Sequence, residues 1–348
     1  MNATFSRGKG YLLTLALFAA AIPAHSETAE PLRQPVAKGA YEMAYSPSQQ
    51  ALYVATSGSR QLDKGGVVYR LDPQTLAITQ AIHNDLKPFG TAINNKTDTL
   101  FVGNTLDSTV TAIDVKSGQV KGRLVLDARP RSENFRPLAP RELAVDENTN
   151  TVYIGGVGEE SRIWVVDGDK LTLRHTLEGL GKHATGLTLD TAAHRLYATG
   201  GDNELFTFDT ASNRLLGKVK LAEGEHFFLN ISLDPATHRA FITDSKQPEL
   251  LVVNTEDGKV IQKVAVPKSL AVLFNPQRNE IYVTHREAGE VSIIDGKTYK
   301  VVKTLKAPTH PNSLALSPDG QTLYISVKQA SSRKQEAAAP DEVMRVAL

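Results

Sequence analysis

Leu52-Tyr53-Val54-Ala55-Thr56 decides the fold, because its pattern returns six more times along the chain. The copies are LFVGN from Leu100, VYIGG from Val152, LYATG from Leu196, AFITD from Ala240, IYVTH from Ile281 and LYISV from Leu323. Measured on the aromatic at Tyr53, Phe101, Tyr153, Tyr197, Phe241, Tyr282 and Tyr324, the steps are 48, 52, 44, 44, 41 and 42 residues. A period in the forties built on a short aromatic strand fits one four-stranded propeller blade per repeat.

The flanking text repeats as well. An apolar strand ending in a turn precedes each aromatic strand, as in LAVDENTN from Leu143, ISLDPATH from Ile231 and LALSPDG from Leu314. Asp-Pro, Asn-Pro and Asp-Gly reverse the chain there. A third strand follows and closes on Asp114, Asp167, Asp209, Asn254 or Asp295, then a more polar fourth strand completes the unit. No long helical periodicity interrupts this. An isolated four-stranded sheet exposes two edges and two faces, whereas seven packed radially bury the faces against one another. The reading is therefore an all-β, seven-bladed β-propeller with four-stranded antiparallel blades. The seventh unit stops one strand short, from Val343 to Leu348. Leu32 to Lys38 can supply the missing strand, so the ring is closed by the N- and C-terminal strands. Residues 27–348 form one domain on this reading.

The first 26 residues stand apart. Arg7 and Lys9 precede an apolar run from Tyr11 to Ile22, and Ala24-His25-Ser26 offers small residues for cleavage. The run is too short for a bilayer, which needs about 20 residues. It reads as a secretory signal peptide, and with no second apolar stretch the expectation is a secreted, periplasmic chain without a membrane span. There is no Cys, which removes disulfides, thiolate catalysis, lipid anchoring and iron–sulfur clusters. Lys plus Arg number 39 against 38 for Asp plus Glu. That balance argues against a dedicated duplex-DNA protein. Two loops depart from the repeat: Asp127 to Pro140, rich in Arg and Pro, and Gln329 to Pro340, polar and Ala-rich.

The strands LYVAT and IYVTH resemble the repeat of YVTN-type propellers. GGVVYRLDP from Gly65, QAIHNDLKPFG from Gln80, SLAVLFNP from Ser269, VTHR from Val283 and THPNSLALS from Thr309 resemble the YncE-like periplasmic propellers of enteric bacteria. The similarity runs from Gly39 to Leu348. It implies the propeller fold and the periplasm, no established reaction, and an association with single-stranded DNA. A looser likeness joins the wider group to quinone-cofactor systems.

Binding residues follow from topology. Loops between blades and loops joining second to third strands gather at one mouth of the channel. Those segments carry Phe89, Arg141, Arg162, Lys182, His183, His226, Phe227, His285, Arg286 and His310, with Trp164 just inside a strand. Aromatic faces beside cations suit an extended anionic strand, so Phe89, Phe227 and Trp164 are expected to stack bases while Arg141, Arg162, Lys182 and Arg286 meet phosphate. His183, His226, His285 and His310 lie on consecutive blades but lack metal-ligand spacing, so no metal is expected. No cofactor or catalytic residue is expected either. Gly179-Leu180-Gly181-Lys182-His183-Ala184 is a loose dinucleotide match followed by a strand. Asp167, Asp169 and Glu178 mimic a calcium loop, but Thr172 stands where Gly is required. The sequence thus points to a non-enzymatic, monomeric binding protein for single-stranded DNA, the alternatives being an envelope protein partner such as an outer-membrane receptor or a quinone-cofactor-linked enzyme.

Overall fold

A computed structural model describes residues 1, 4, 30–59, 61, 64–332 and 335–348. Apart from Met1 and Thr4, the expected signal segment lies outside the described residues.

Twenty-eight strands, numbered β1 to β28 in chain order, form seven separate four-stranded antiparallel sheets. Six blades are consecutive, spanning residues 40–83, 88–125, 139–177, 186–220, 228–265 and 272–306. The seventh joins β26 (His310–Leu316), β27 (Thr322–Lys328) and β28 (Asp341–Ala347) to β1 (Leu32–Ala37) from the other end of the chain. Leu32 pairs with Arg345 and Gln34 with Val343. This is the closure read from the sequence, with the third strand of that blade beginning two residues earlier. The only helix among the described residues is a single 3-10 turn, Pro235–Thr237, so none is long and apolar enough to cross a membrane.

Burial grades outward within each blade. The second strands β3 (Ala51–Thr56) and β7 (Thr99–Asn104) are buried at every position. The outermost strand β17 (Arg214–Lys220) is exposed at nearly every one. That gradient follows from radial packing: a second strand has a neighbouring blade on both faces, and an outer strand meets water. The repeat aromatics stitch blades together. The Tyr53 hydroxyl of the first blade donates to the Val115 carbonyl of the second at 3.0 Å, and Tyr324 of the last donates to Pro73 of the first at 3.0 Å. Both rings are fully buried, and each contributes roughly 1.5–3 kcal/mol by burial, with its polar tip satisfied. The closing Asp of the third strand works locally. Asp114 Oδ1 accepts the Lys116 and Ser117 N–H groups at 2.9 and 2.8 Å, and Asp295 Oδ1 does the same for Lys297 and Thr298. These Asx turns fix the reversal into the fourth strand.

Candidate ligand-binding mouth

The channel is lined by the first strand of each blade, and five of these strands break register at the same place. In β2 (Ala40–Ser46) pairing jumps from Ala40 to Met43, and in β6 (Pro88–Asn94) from Pro88 to Thr91. In β10 (Ala139–Asp146) it jumps from Pro140 to Leu143, in β18 (Phe228–Asp234) from Phe228 to Ile231, and in β26 from Pro311 to Leu314. A bulge leaves residues unpaired and re-aims their side chains. The residues so released are Tyr41 and Glu42, Phe89 and Gly90, Arg141 and Glu142, Leu229 and Asn230, and Asn312 and Ser313.

The first residues of three neighbouring bulges meet in a stack. The Tyr41 and Phe89 rings lie 4.3 Å apart between centroids, and the Arg141 guanidinium carbon sits 4.5 Å from the Phe89 centroid. On the other side Lys328 Nζ lies 4.0 Å from the Tyr41 ring. Cation–aromatic contacts of this kind contribute about 0.5–2 kcal/mol each. Phe89 therefore has a ring and a guanidinium against it, which leaves little of its face for a ligand. Its role here is to hold Arg141, the residue of the stack able to meet an anion at the channel mouth. Lys328 is buried, donating to the Ala40 carbonyl at 2.9 Å and to Asp341 Oδ2 at 3.1 Å.

The second residues of the bulges face the channel below. Glu42 and Glu142 stand close enough for each to act on the other's charge. They line a cavity of about 230 Å³ together with Thr91, Asn230, Ser232 and Ser313. Glu42 Oε2 accepts the Thr91 N–H at 3.1 Å, and Glu142 Oε1 accepts the Asn230 side-chain amide at 3.3 Å. Burial, and then the Glu142 charge beside it, pushes the Glu42 carboxyl well above the usual range. Burial raises Glu142 as well, with Arg141 and Asn230 opposing the shift. Both side chains touch the narrow lumen, yet protein surrounds them on all other sides. The sequence analysis singled out none of Tyr41, Glu42 and Glu142.

The other expected residues divide into three groups. Trp164 and His285 are enclosed. Trp164 in β12 (Arg162–Asp167) packs among Phe101, Val110 and Ile154, with its ring against Gly156. His285 is 0% exposed, its Nε2 2.8 Å from Ser292 Oγ, and burial lowers its pKa. Neither side chain reaches the mouth, which corrects their assignment to the binding set. Lys87, the residue before β6, is also buried, donating to the Ser57 and Ser59 carbonyls at 3.1 and 2.8 Å.

A second group sits on the mouth face but is engaged. Lys182 pairs with Glu159 at 3.0 Å, and Arg162 with Glu178 at 3.5 Å. His183 lies 3.8 Å from Glu159 and 6.3 Å, ring to ring, from Phe227. His310 Nδ1 is 3.0 Å from the Arg286 carbonyl. Exposed pairs are worth about 0–1 kcal/mol, so a phosphate can displace Glu159 from Lys182. His226 Nδ1 lies 2.6 Å from Asp244 Oδ2 and 3.9 Å from Glu249 Oε1, a grouping with metal-ligand composition. Each acid there has another task. Asp244 Oδ1 accepts the Phe227, Lys246 and Gln247 N–H groups, and Glu249 pairs with Lys263 at 3.0 Å.

The third group is open. Arg286 is exposed on the wall of a small pocket shared with Tyr41, Lys38 and Lys328. Across the mouth, the Arg- and Pro-rich loop overhangs a cleft of about 760 Å³ lined by Arg129, Arg131, Arg136, Phe135 and His183. Asp127 organises that loop. It accepts the Arg129 guanidinium at 2.7 Å and the Leu138 N–H at 3.0 Å, and these donors, Arg129 foremost, hold its carboxyl down at about 2.

Comparison with known proteins agrees with this architecture. A chain of the hydrazine synthase of Kuenenia stuttgartiensis superposes with a TM-score of 0.71 over 88% of this chain and 96% of that one, at 15% identity, a likeness of fold alone. Proteins named YncE from Salmonella typhimurium and Escherichia coli are each 62% identical to it. The alignments run over 344 and 345 residues and cover 98% or more of this chain and 98% of each relative. With residues 51–346 also matching the family model described as YNCE-like beta-propeller, the chain belongs to the YncE-like β-propeller family.

Proposed function

We propose that this chain is an exported, non-enzymatic binding protein whose channel mouth takes an extended anionic polymer, with single-stranded DNA as the ligand. The observation that carries the reading is the stack of Tyr41, Phe89 and Arg141. It presents a pre-oriented guanidinium at the centre of a face that also holds Arg286 and the Arg129–Arg136 overhang. A guanidinium plane accepts both a stacked base and a phosphate, and single strands are taken by such stacking over a cationic track. The His285–Ser292 hydrogen bond has the composition of a nucleophile and its base, but it is sealed inside a blade, which supports binding over catalysis.

The test is the anisotropy of a labelled oligothymidylate on the mature chain, at 50 and 200 mM salt. About three phosphate contacts would cost on the order of twentyfold in affinity across that range. Arg141→Ala should weaken binding by roughly 5- to 150-fold, the span of one lost base stack. Affinity indifferent to both salt and Arg141→Ala overturns the reading. The second reading, an envelope protein partner, draws on β17, where Leu215 and Leu216 stand 46% and 53% exposed on an outer blade edge. It predicts that Leu216→Ser, and not Arg141→Ala, abolishes partner capture.

A further inference from the structure

We infer that His226, Asp244 and Glu249 form a binding site for a divalent transition-metal ion of the zinc class, at the mouth end of the fifth blade. Three consecutive strands bring the residues together. His226 lies two residues before β18, Asp244 ends β19 (Arg239–Asp244) and Glu249 opens β20 (Glu249–Asn254). His226 Nδ1 is 2.6 Å from Asp244 Oδ2 and 3.9 Å from Glu249 Oε1, and the three atoms lie within 4.8 Å of one another. An ion bonded at about 2.0–2.2 Å holds its ligand atoms roughly 3–4 Å apart, so Nδ1 and Oδ2 need part by only about half an ångström.

What surrounds the three ligand atoms points the same way. His226 Nε2 lies 3.2 Å from the Glu223 carbonyl, and a carbonyl only accepts, so Nε2 carries the ring proton. Nδ1 is left facing two carboxylates, where a second proton or a cation must join them. Metal-bound histidines are held in this way, with the other ring N–H given to a carbonyl or carboxylate that fixes the tautomer. Asp244 is oriented as well. Its Oδ1 accepts the Phe227, Lys246 and Gln247 N–H groups at 3.1, 2.8 and 3.2 Å, which fixes the carboxylate plane and turns Oδ2 toward Nδ1.

The site is enclosed yet reachable. The His226 and Asp244 side chains are 8% and 0% exposed, and that of Glu249 is 17% exposed. Lys263, the partner of Glu249, is 54% exposed. An ion pair so open to water has little net worth, so an arriving cation can displace the ammonium. One imidazole with two carboxylates suits zinc, cobalt or nickel rather than calcium, whose sites are built from oxygen alone. A water completes the fourth position. Two carboxylates and a divalent ion sum to zero, which balances the buried charge without a proton on Nδ1. None of these residues belongs to the stack of Tyr41, Phe89 and Arg141, so the site stands or falls apart from the polymer-binding reading.

Calorimetric titration of the chelator-treated, untagged mature chain with ZnCl2 tests the assignment, with thermal unfolding followed in parallel. One ion per chain and a Tm that rises with zinc concentration are expected. CoCl2 should give visible absorption bands that ZnCl2 abolishes by displacement. His226→Gln and Glu249→Gln should each weaken zinc binding at least about tenfold, the floor seen when even an outer partner of a metal site is removed. Glu249→Gln leaves the hydrogen bonds of Asp244 Oδ1 in place, so this variant should fold, and circular dichroism verifies that it does. His175→Gln, at an exposed histidine of β13 (Thr172–Leu177), should leave zinc binding unchanged. Absence of heat, of cobalt bands and of any Tm shift at submillimolar metal would show that a proton alone joins His226 to Asp244, and overturns the proposal. Zinc affinity unchanged by Glu249→Gln, or lowered as much by His175→Gln, overturns it equally.

Discussion

Gly90 backs directly onto the carbonyl of Arg141: a β-carbon at position 90 would overlap that oxygen and stand 2.8 Å from the carbonyl carbon and 2.9 Å from Leu143 Cδ1. The obstacle is backbone of the next blade, which cannot swing aside as a side chain can. Gly90→Ala should therefore push β6 from β10, loosen the contact between Phe89 and Arg141, and cost about 1–3 kcal/mol as an overpacking change. Urea unfolding should show a lower midpoint with an unchanged slope. A midpoint equal to the parent's would mean that the two strands are not in the contact described.

Lys328 and Asp341 make the corresponding joint where the ring closes. Their side chains are 8% and 3% exposed and 3.1 Å apart, and Asp341 also accepts the Ala40 and Gln329 N–H groups. Removing one partner of a buried pair strands the other charge, which costs about 3–5 kcal/mol. Lys328→Met should destabilise by that order, and adding Asp341→Asn should restore part of the loss. A double-mutant cycle measures the coupling. Strict additivity of the two changes would show that the pair contributes nothing as a pair.

The repeat made the blades legible because a fully buried strand carries a continuous apolar signature, from Leu52 to Ala55 as from Ile281 to Val283. It also made the closure legible, since a blade short of one strand has an open edge that Leu32–Ala37 can fill. The mouth was harder to read. Side-chain direction follows from alternation only while register holds, and at Tyr41–Glu42 and Arg141–Glu142 it does not. A bulge leaves no mark in a single sequence that separates it from ordinary strand, so Tyr41 and Glu42 carried no signal. His285 had one that went unused. It ends its repeat strand at the position held by Thr56, Asn104 and Asp244, and all four are buried. Polar residues recurring there report buried side-chain hydrogen bonds, which for Thr56, Asn104 and His285 run to the third strand of the same blade. Thr243 and Thr284, one residue earlier, join blades instead, each spanning to a neighbouring first strand or its lead-in: Thr243 Oγ1 reaches the Leu270 carbonyl and Thr284 Oγ1 that of Asn312.

His285 yields a pH dependence whose direction can be worked out. Burial holds its folded-state pKa below the ordinary value of 6.5, with the Lys268 carbonyl and Glu290 opposing the shift only in part. The folded chain therefore keeps this imidazole neutral under conditions in which the unfolded chain protonates it. Stability from this residue is complete above pH 6.5 and declines as pH falls through that value toward the folded pKa, because the unfolded state takes up the additional proton. Denaturant midpoints measured at pH 7.5 and pH 5.5 should fall between the two in the parent chain. His285→Gln should lower both midpoints, since the buried Ser292 hydroxyl loses its partner at about 1–3 kcal/mol, while the difference between them shrinks. The two proteins differ only at position 285, so the change in that difference isolates His285. An equal fall in parent and variant would mean that His285 is protonated inside the fold, and its enclosure with Ser292 would then have to be redrawn.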